Sequence, residues 1–249
     1  MSIEEITVQL STPKPLALHD CALFLDLDGT LAPIAARPQD VRPDPRRTDL
    51  LERLTDALDG RVAVVTGRTL ADVDRILEGR VAAVAAVHGL VRRDAAGRLH
   101  ERAPHPGLAE AVQALHAFAA RDSGLIVEDK GLSCALHFRL ARHCAAAARA
   151  LARRIALQTG LTLQDGDMVE ELRTPGPTKA DSVMAFMAER PFAGSRPVFL
   201  GDDATDEDGF AAARHLGGAG ILVGAPRPTR AKYRLSDVEA TLGWLEAAL

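Results

Sequence analysis

The stretch Leu23-Phe24-Leu25-Asp26-Leu27-Asp28-Gly29-Thr30-Leu31 constrains the fold of this chain more than any other. An apolar run of strand length, with Ala22 before it, ends in two acids spaced i, i+2 and then a Gly-Thr turn. A strand that is apolar on both faces belongs in a parallel sheet covered on both sides by helices. Its carboxyl end is where open α/β sheets bind their ligands. Alternation sends residues i and i+2 to one face, and a strand that breaks into a loop at the second acid can aim both carboxylates at one point. Two carboxylates that close repel each other unless one keeps a proton or a cation lies between them. The pair therefore points to a metal ion or to acid and base chemistry.

The chain repeats this theme before departing from it. Pro33, Pro38, Pro43 and Pro45 make 32–46 a loop on the rim of the two acids. Leu50, Leu51, Leu54, Ala57 and Leu58 then form a helical stripe, with Thr48 or Asp49 as its N-cap and Gly60 as its stop. A second apolar strand ends in Thr66-Gly67-Arg68, and after a helix over 69–78 a third, over 81–87, ends in His88-Gly89. This alternation predicts an α/β fold, a doubly wound and mostly parallel sheet. From residue 91 the pattern becomes a polar hairpin around Asp94-Ala95-Ala96-Gly97. An amphipathic helix from Leu108, a strand on either side of Asp129-Lys130-Gly131, a long Ala/Arg-rich helix over 141–158 and two further strands to Leu172 follow. Helices beside an antiparallel sheet make an α+β unit, so 104–172 reads as a cap domain inserted into a core built from 1–103 and 173–249. Pro175-Gly176-Pro177 falls in the return hinge.

Beyond the hinge the parallel pattern resumes. Thr178 can cap a helix that carries Lys179 in its first turn, where a positive charge opposes the helix dipole and is either solvated or retained to meet an anion. Pro197-Val198-Phe199-Leu200-Gly201 is another apolar strand running into acids, Asp202-Asp203 and then Asp206-Glu207-Asp208. The segment 219–223 is the last expected strand, and Leu242, Leu245 and Leu249 close the fold. Residues 1–19, polar and broken by Pro13 and Pro15, read as a loose arm.

Charge and composition exclude several partner classes. A formal net charge of −4 gives no general attraction to nucleic acid or to an anionic membrane, so any bound phosphate must be met locally by a few basic groups. Cys21, Cys134 and Cys144 are odd in number and lack metal-site spacing, which suits a reducing compartment; Cys21 and Cys134 lie in apolar runs and read as core residues. Glu4 and Glu5 interrupt the N-terminus where a secretory signal would be apolar, and no apolar run reaches membrane-spanning length. A cytoplasmic protein is expected. The sequence is silent on oligomeric state, with a monomer the simplest expectation.

Asp26 to Thr30, the strand-end Thr66, Lys179 and the Gly201-Asp202-Asp203 to Asp208 run resemble, in that order, the four motifs of the haloacid dehalogenase superfamily. The resemblance implies a Rossmann-like core, with Asp26 as nucleophile forming an aspartyl phosphate and Asp28 as general acid and base. It also implies that Thr66, Gly67, Arg68 and Lys179 bind phosphate. Mg²⁺ would be held by Asp26, the Asp28 carbonyl and Asp202, with Asp203 or Asp206 in support. The electrostatics point the same way, since a carboxylate cannot approach a phosphate dianion without a cation between them.

The insert narrows the resemblance further. Thr66-Gly67-Arg68, His88-Gly89, Val127-Glu128-Asp129-Lys130, Ser133, His137-Phe138-Arg139 and Val169-Glu170-Glu171-Leu172-Arg173 are similar to the trehalose-6-phosphate phosphatase family. That likeness implies a small sugar phosphate as substrate and Glu128, Lys130, Arg139, Glu171 and His88 as its contacts. Two positions depart from the pattern: Leu90-Val91 stands where the family has Ala-Glu, and Asp167 where it has a lysine. Sucrose phosphate, a glucosyl- or mannosyl-phosphoglycerate and a monosaccharide phosphate are the alternative esters. A non-catalytic sensor would have lost Asp26 or Asp28, and both are present. The cap is expected to close over the core during turnover.

Overall fold

The computed structural model describes residues 10–249, so residues 1–9 of the expected N-terminal arm lie outside the described residues. The chain forms two sheets. The larger is built from β1 (Cys21–Leu25), β2 (Val62–Val65), β3 (Ala83–Ala86), β4 (Val91–Arg93), β5 (Leu99–Glu101), β10 (Arg196–Gly201), β11 (Ala219–Val223) and β12 (Tyr233–Leu235). Its order is β12-β11-β10-β1-β2-β3-β4-β5, parallel from β12 to β3 and antiparallel through the β4–β5 hairpin.

Alternation along β1 explains why helices cover both faces. Leu23 and Leu25 face one buried cluster with Leu50, Leu51 and Leu54 of α1 (Pro45–Ala57), Val73, Ile76 and Leu77 of α2 (Leu70–Leu77), and Leu242 and Leu245 of α7 (Val238–Glu246). Ala22 and Phe24 face a second cluster with Val183 and Phe186 of α5 (Lys179–Met187) and Phe210 of α6 (Glu207–His215). Phe24, Phe186 and Phe192 pack together there with ring centroids 5.3 to 6.1 Å apart.

The connections place the site. From β1 the chain winds outward through β2 and β3, and after the insert it returns to the other side of β1 as β10, with Leu25 pairing both Val64 and Leu200. The winding direction therefore reverses between β1 and β10, which is where a doubly wound sheet opens a ligand crevice.

The insert lies between β5 and α5. It holds α3 (Leu108–Ala119), β6 (Ile126–Asp129), β7 (Ser133–His137), α4 (Ala145–Thr159), β8 (Thr162–Gly166) and β9 (Val169–Arg173), with the antiparallel sheet order β6-β7-β9-β8. Its apolar face, with Cys134, Leu136 and Leu172, packs on Leu108, Ala111 and Leu115 of α3 and on Ile155 of α4. Cross-strand register puts Glu128, Ala135, Glu171 and Gln164 in one row on the opposite face.

Several local expectations change. Asp44, not Thr48 or Asp49, caps α1: its carboxylate accepts from Arg46 N at 3.0 Å, and Pro45, which needs no amide partner, opens the helix. The helix expected from 141 begins at Ala145, after a 3-10 turn over Arg142–Cys144. Leu249 is 41% exposed instead of closing the core. β12, three residues reading Tyr-Arg-Leu, is too short and polar to be read as a strand without its partner β11.

Candidate active site

Asp26 and Asp202 emerge at the carboxyl ends of neighbouring strands. Together with Asp206 they bring one carboxylate oxygen each within 4.8 Å of the others. Gly29 makes this approach possible: it has φ +78°, and a Cβ there would fall 2.1 Å from Asp202 Oδ2. A glycine is therefore required on both conformational and steric grounds. Gly201 is constrained by the same kind of close approach, since its Cβ would fall 2.2 Å from the Asp206 carboxyl carbon.

Lys179 answers the concentration of negative charge. Thr178 and Asp181 form a reciprocal capping box at the start of α5, which fixes the turn that carries the lysine inward. Its Nζ donates to Asp26 Oδ1 at 2.9 Å and to Asp206 Oδ1 at 2.6 Å, with all three side chains buried. Burial works against the ammonium, and the Asp206 and Asp26 carboxylates outweigh it, so Lys179 is held charged above the ordinary lysine range. Burial pushes Asp26 well above the usual carboxylate range despite Lys179. Asp202 is pushed up to about 7 by burial and then by Asp206 and Asp203.

Asp206 and Asp203 have different tasks. Asp206 Oδ2 accepts from the amides of Asp202 and Asp203 at 3.0 and 3.1 Å, so this carboxylate orders the loop and holds Lys179. Asp203 Oδ1 accepts from Ala204 N at 2.6 Å as the cap of a short 3-10 turn, and it stands outside the three-carboxylate cluster. Arg227, which nothing local singles out, donates to the carbonyls of Asp202 and Asp203 at 3.3 and 2.8 Å.

The hard oxygen donors of Asp26 and Asp202, both raised by burial and mutual repulsion, fit a divalent cation such as Mg²⁺, which prefers a few carboxylates plus phosphate and water.

Thr66 is buried at the end of β2 beside this cluster, and its hydroxyl accepts from Arg68 N at 3.3 Å. Gly67 leaves room for His88, whose Nε2 would lie 2.4 Å from a Cβ at that position. Arg68 lines the cleft with its guanidinium already engaged. Its Nε and one terminal nitrogen make a bidentate pair with Asp28 at 2.6 and 2.7 Å, and the other donates to the Pro38 carbonyl at 2.9 Å. A planar guanidinium matches a carboxylate edge through two parallel hydrogen bonds, the geometry of this pair.

The insert supplies the opposite wall of the cleft, with Glu128, Lys130, His137, Arg139, Asp167 and Glu171. Lys130 Nζ donates to Glu171 at 2.7 Å and across to the Gly67 carbonyl at 2.9 Å. Ser133 donates to the other Glu171 oxygen at 2.6 Å, and His88 Nε2 lies 3.4 Å from Glu171. Burial opposes charge on both partners, but Lys130 and His88 hold Glu171 well below the usual carboxylate range, and Glu171 holds Lys130 above the usual lysine range. His137 pairs with Glu128 at 2.8 Å, and Arg139 with Asp167 at 3.0 Å. The lysine-to-aspartate departure at 167 therefore gives Arg139 a fixed partner. Gln164 Nε2 sits 2.9 Å from the His88 ring nitrogens, a contact that the sequence did not signal because 76 residues separate the two.

A parallel core that switches direction at clustered aspartates, roofed by an inserted α+β sheet, is the fold shared with solved capped phosphatases of the haloacid dehalogenase type. The family model described as trehalose-phosphatase matches residues 24–239. The chain is 38% identical over 237 residues to trehalose-6-phosphate phosphatase of Escherichia coli K12, covering 94% of this chain and 88% of that protein. It is 36% identical over 233 residues to a probable trehalose-phosphate phosphatase of Sinorhizobium fredii, covering 92% and 88%. A solved trehalose-6-phosphate phosphatase related protein superposes with a TM-score of 0.76 at 26% identity, over 90% of this chain and 95% of that one. The C-terminal domain of the Candida albicans enzyme superposes at 0.82 with 19% identity over 92% of each, which speaks for the fold alone. The chain belongs to the trehalose-phosphatase family and is a phosphoric monoester hydrolase.

Proposed function

We propose that the cleft hydrolyses trehalose 6-phosphate to trehalose and inorganic phosphate, with residues 104–172 acting as the specificity cap. The observation that carries this reading is the Asp26, Asp202 and Asp206 cluster with Lys179 inside it, facing a cap wall of paired charges. Charge pairs at that density suit a disaccharide, whose hydroxyls can take hydrogen bonds from carboxylate, ammonium and guanidinium together.

Lys179 occupies Asp26 Oδ1, so Oδ2 is the oxygen left to attack phosphorus. A carboxylate–phosphorus bond forms as the bond from phosphorus to the sugar oxygen breaks, and Asp28 gives its proton to that leaving oxygen. Asp28 then takes a proton from the water that cleaves the aspartyl phosphate, returning both acids to their starting state. Arg68 sets the Asp28 carboxyl in position and releases one of its hydrogen bonds when Asp28 is protonated. Thr66 and the remaining Lys179 N–H meet phosphoryl oxygens. Asp26, the Asp28 carbonyl and Asp202 would hold Mg²⁺, which would supply the positive charge that lets a carboxylate approach a phosphate dianion. Asp206 positions Lys179 and the acid loop. Glu128, Lys130, Arg139, Glu171 and His88 read the sugar by exchanging their present side-chain partners for its hydroxyls. The protein acts in the cytoplasm, where its three free cysteines stay reduced; among the described residues no helix is long and apolar enough to cross a membrane.

Steady-state turnover of trehalose 6-phosphate, sucrose 6-phosphate, glucosyl- and mannosyl-phosphoglycerate and glucose 6-phosphate, each with Mg²⁺ and with a chelator, tests the reading. Trehalose 6-phosphate should give the highest kcat/KM, and the chelator should abolish turnover. Equal or better turnover of a monosaccharide phosphate would overturn the disaccharide assignment. Asp26→Asn should lower kcat by at least about a thousandfold, and near-native turnover in that variant would exclude the covalent route.

A further inference from the structure

A corner of the cap away from the cleft gathers three donors of different chemistry. Asp122 lies in the turn that leaves α3, while His143 and Cys144 lie in the 3-10 turn that enters α4. A carboxylate oxygen, an imidazole nitrogen and the thiol sulfur lie within 4.8 Å of one another. Asp122 Oδ2 is 3.0 Å from His143 Nε2, close to the separation of about 3.3 Å between neighbouring ligands of a tetrahedral ion with bonds near 2 Å.

Main-chain contacts hold the two turns in this register. Asp122 Oδ1 accepts from Gly124 N at 2.7 Å, which leaves Oδ2 free to face the other turn. Cys144 N donates to the Ala141 carbonyl at 2.8 Å. The turns touch so closely that a Cβ on Gly124 would fall 2.7 Å from the Leu140 carbonyl oxygen. The donors therefore do not have to be collected from separate mobile segments. The other two cysteines are buried, and burial pushes both thiols up to about 12, so Cys144 is the accessible thiol of the chain.

We propose that this corner binds a borderline-soft divalent cation, Zn²⁺ being the test case, through Asp122 Oδ2, His143 Nε2 and Cys144 Sγ, with water completing the shell. A thiolate and an imidazole select against Mg²⁺, so the chain sorts two kinds of cation by donor softness, hard ions to the cleft and softer ones to the cap corner. Binding releases the Cys144 proton to solvent as the sulfur–metal bond forms, and it ties the end of α3 to the start of α4.

The test uses the full chain with Mg²⁺ in large excess to compete at the acidic cluster. Zn²⁺ should slow labelling of Cys144 by a thiol reagent at least tenfold and raise Tm. Co²⁺ should produce a thiolate charge-transfer band in the near ultraviolet. Cys144→Ser and His143→Gln should each remove that band and weaken Zn²⁺ binding at least tenfold. Asp122→Asn, which keeps an oxygen for Gly124 N, should weaken it as well. Phosphatase turnover in Mg²⁺ alone should be unchanged in all three, so failure here is separable from failure of the proposed hydrolysis. A labelling rate that Zn²⁺ does not move, Co²⁺ bound without the band, or an unchanged Zn²⁺ affinity in Cys144→Ser would overturn the site.

Discussion

Lys179 stands between two buried carboxylates, and under the proposed mechanism both catalysis and stability turn on it. Lys179→Met keeps the length of the side chain and removes the charge, which leaves Asp26 and Asp206 buried without their cation. Breaking a buried pair in this way costs about 3–5 kcal/mol. Urea unfolding at pH 8 in metal-free buffer should show a loss of that order, and the loss should shrink towards pH 5 as the carboxylates take up protons. The variant should also lose at least about a hundredfold in kcat. Arg68 poses a different question, because both of its contacts with Asp28 depend on a planar fork. Arg68→Lys retains charge and loses the bidentate geometry. It should lower kcat about ten- to a hundredfold with little change in KM, and single-turnover rates would check that the lost step is chemical. The family resemblance implied Arg68 as a phosphate ligand. It carried no sign that a carboxylate 40 residues earlier would take the guanidinium first.

At the scale of an element, the cap sheet shows how one strand serves two environments. Along β9, Glu171 faces the cleft, and its neighbour Glu170 points to the helix side, only 1% exposed, opposite Asp165 of β8. Burial and the adjacent Asp165 raise Glu170 to about 7, and Arg149 at 3.2 Å offsets only part of this. A carboxyl raised by folding contributes stability that is complete below its unfolded value near 4.5 and is lost as pH rises through about 7. Wild-type stability should therefore fall by about 1–2 kcal/mol between pH 5 and pH 8 on account of this group. Glu170→Gln should flatten that part of the profile, and chemical denaturation at the two pH values measures it. On α5, Thr178→Ala removes one half of the capping box and should cost about 1 kcal/mol. Because the same turn carries Lys179, the variant should also lower kcat several-fold. Periodicity announced that β9 and α5 exist and that Thr178 caps a helix. It did not reveal that Glu170 lacks a solvent face, since that depends on α4 being packed over it.

At the scale of the whole molecule, core and cap meet through polar contacts and through Leu132 of the insert, which joins the core's hydrophobic cluster. Lys130 reaches the Gly67 carbonyl, and Glu171 and Gln164 reach His88, so the insert touches the rim of β2 and β3 at the same place where the sugar would lie. A lid over this cleft must open and reclose if it is to admit a disaccharide and then exclude water. Small-angle scattering should show a smaller radius of gyration with a tetrahedral phosphate analogue and Mg²⁺ than without them. Lys130→Ala should reduce the difference and raise KM more than it lowers kcat. Identical scattering in both states would count against closure.

The chain by itself determined the strand and helix alternation, the inserted unit with its antiparallel sheet, and the acids at Asp26, Asp28 and Asp202. These are short-range signals, carried by period and by the chemistry of strand ends. Tertiary structure alone decided that Asp206 and not Asp203 joins the carboxylate cluster, that Arg68 serves Asp28, that Arg227 holds the acid loop, and that Gln164 meets His88. Those pairings join side chains across strand order and across the seam between core and cap. A side chain's choice among several partners depends on which of them burial leaves within hydrogen-bond reach, and no local pattern carries that information.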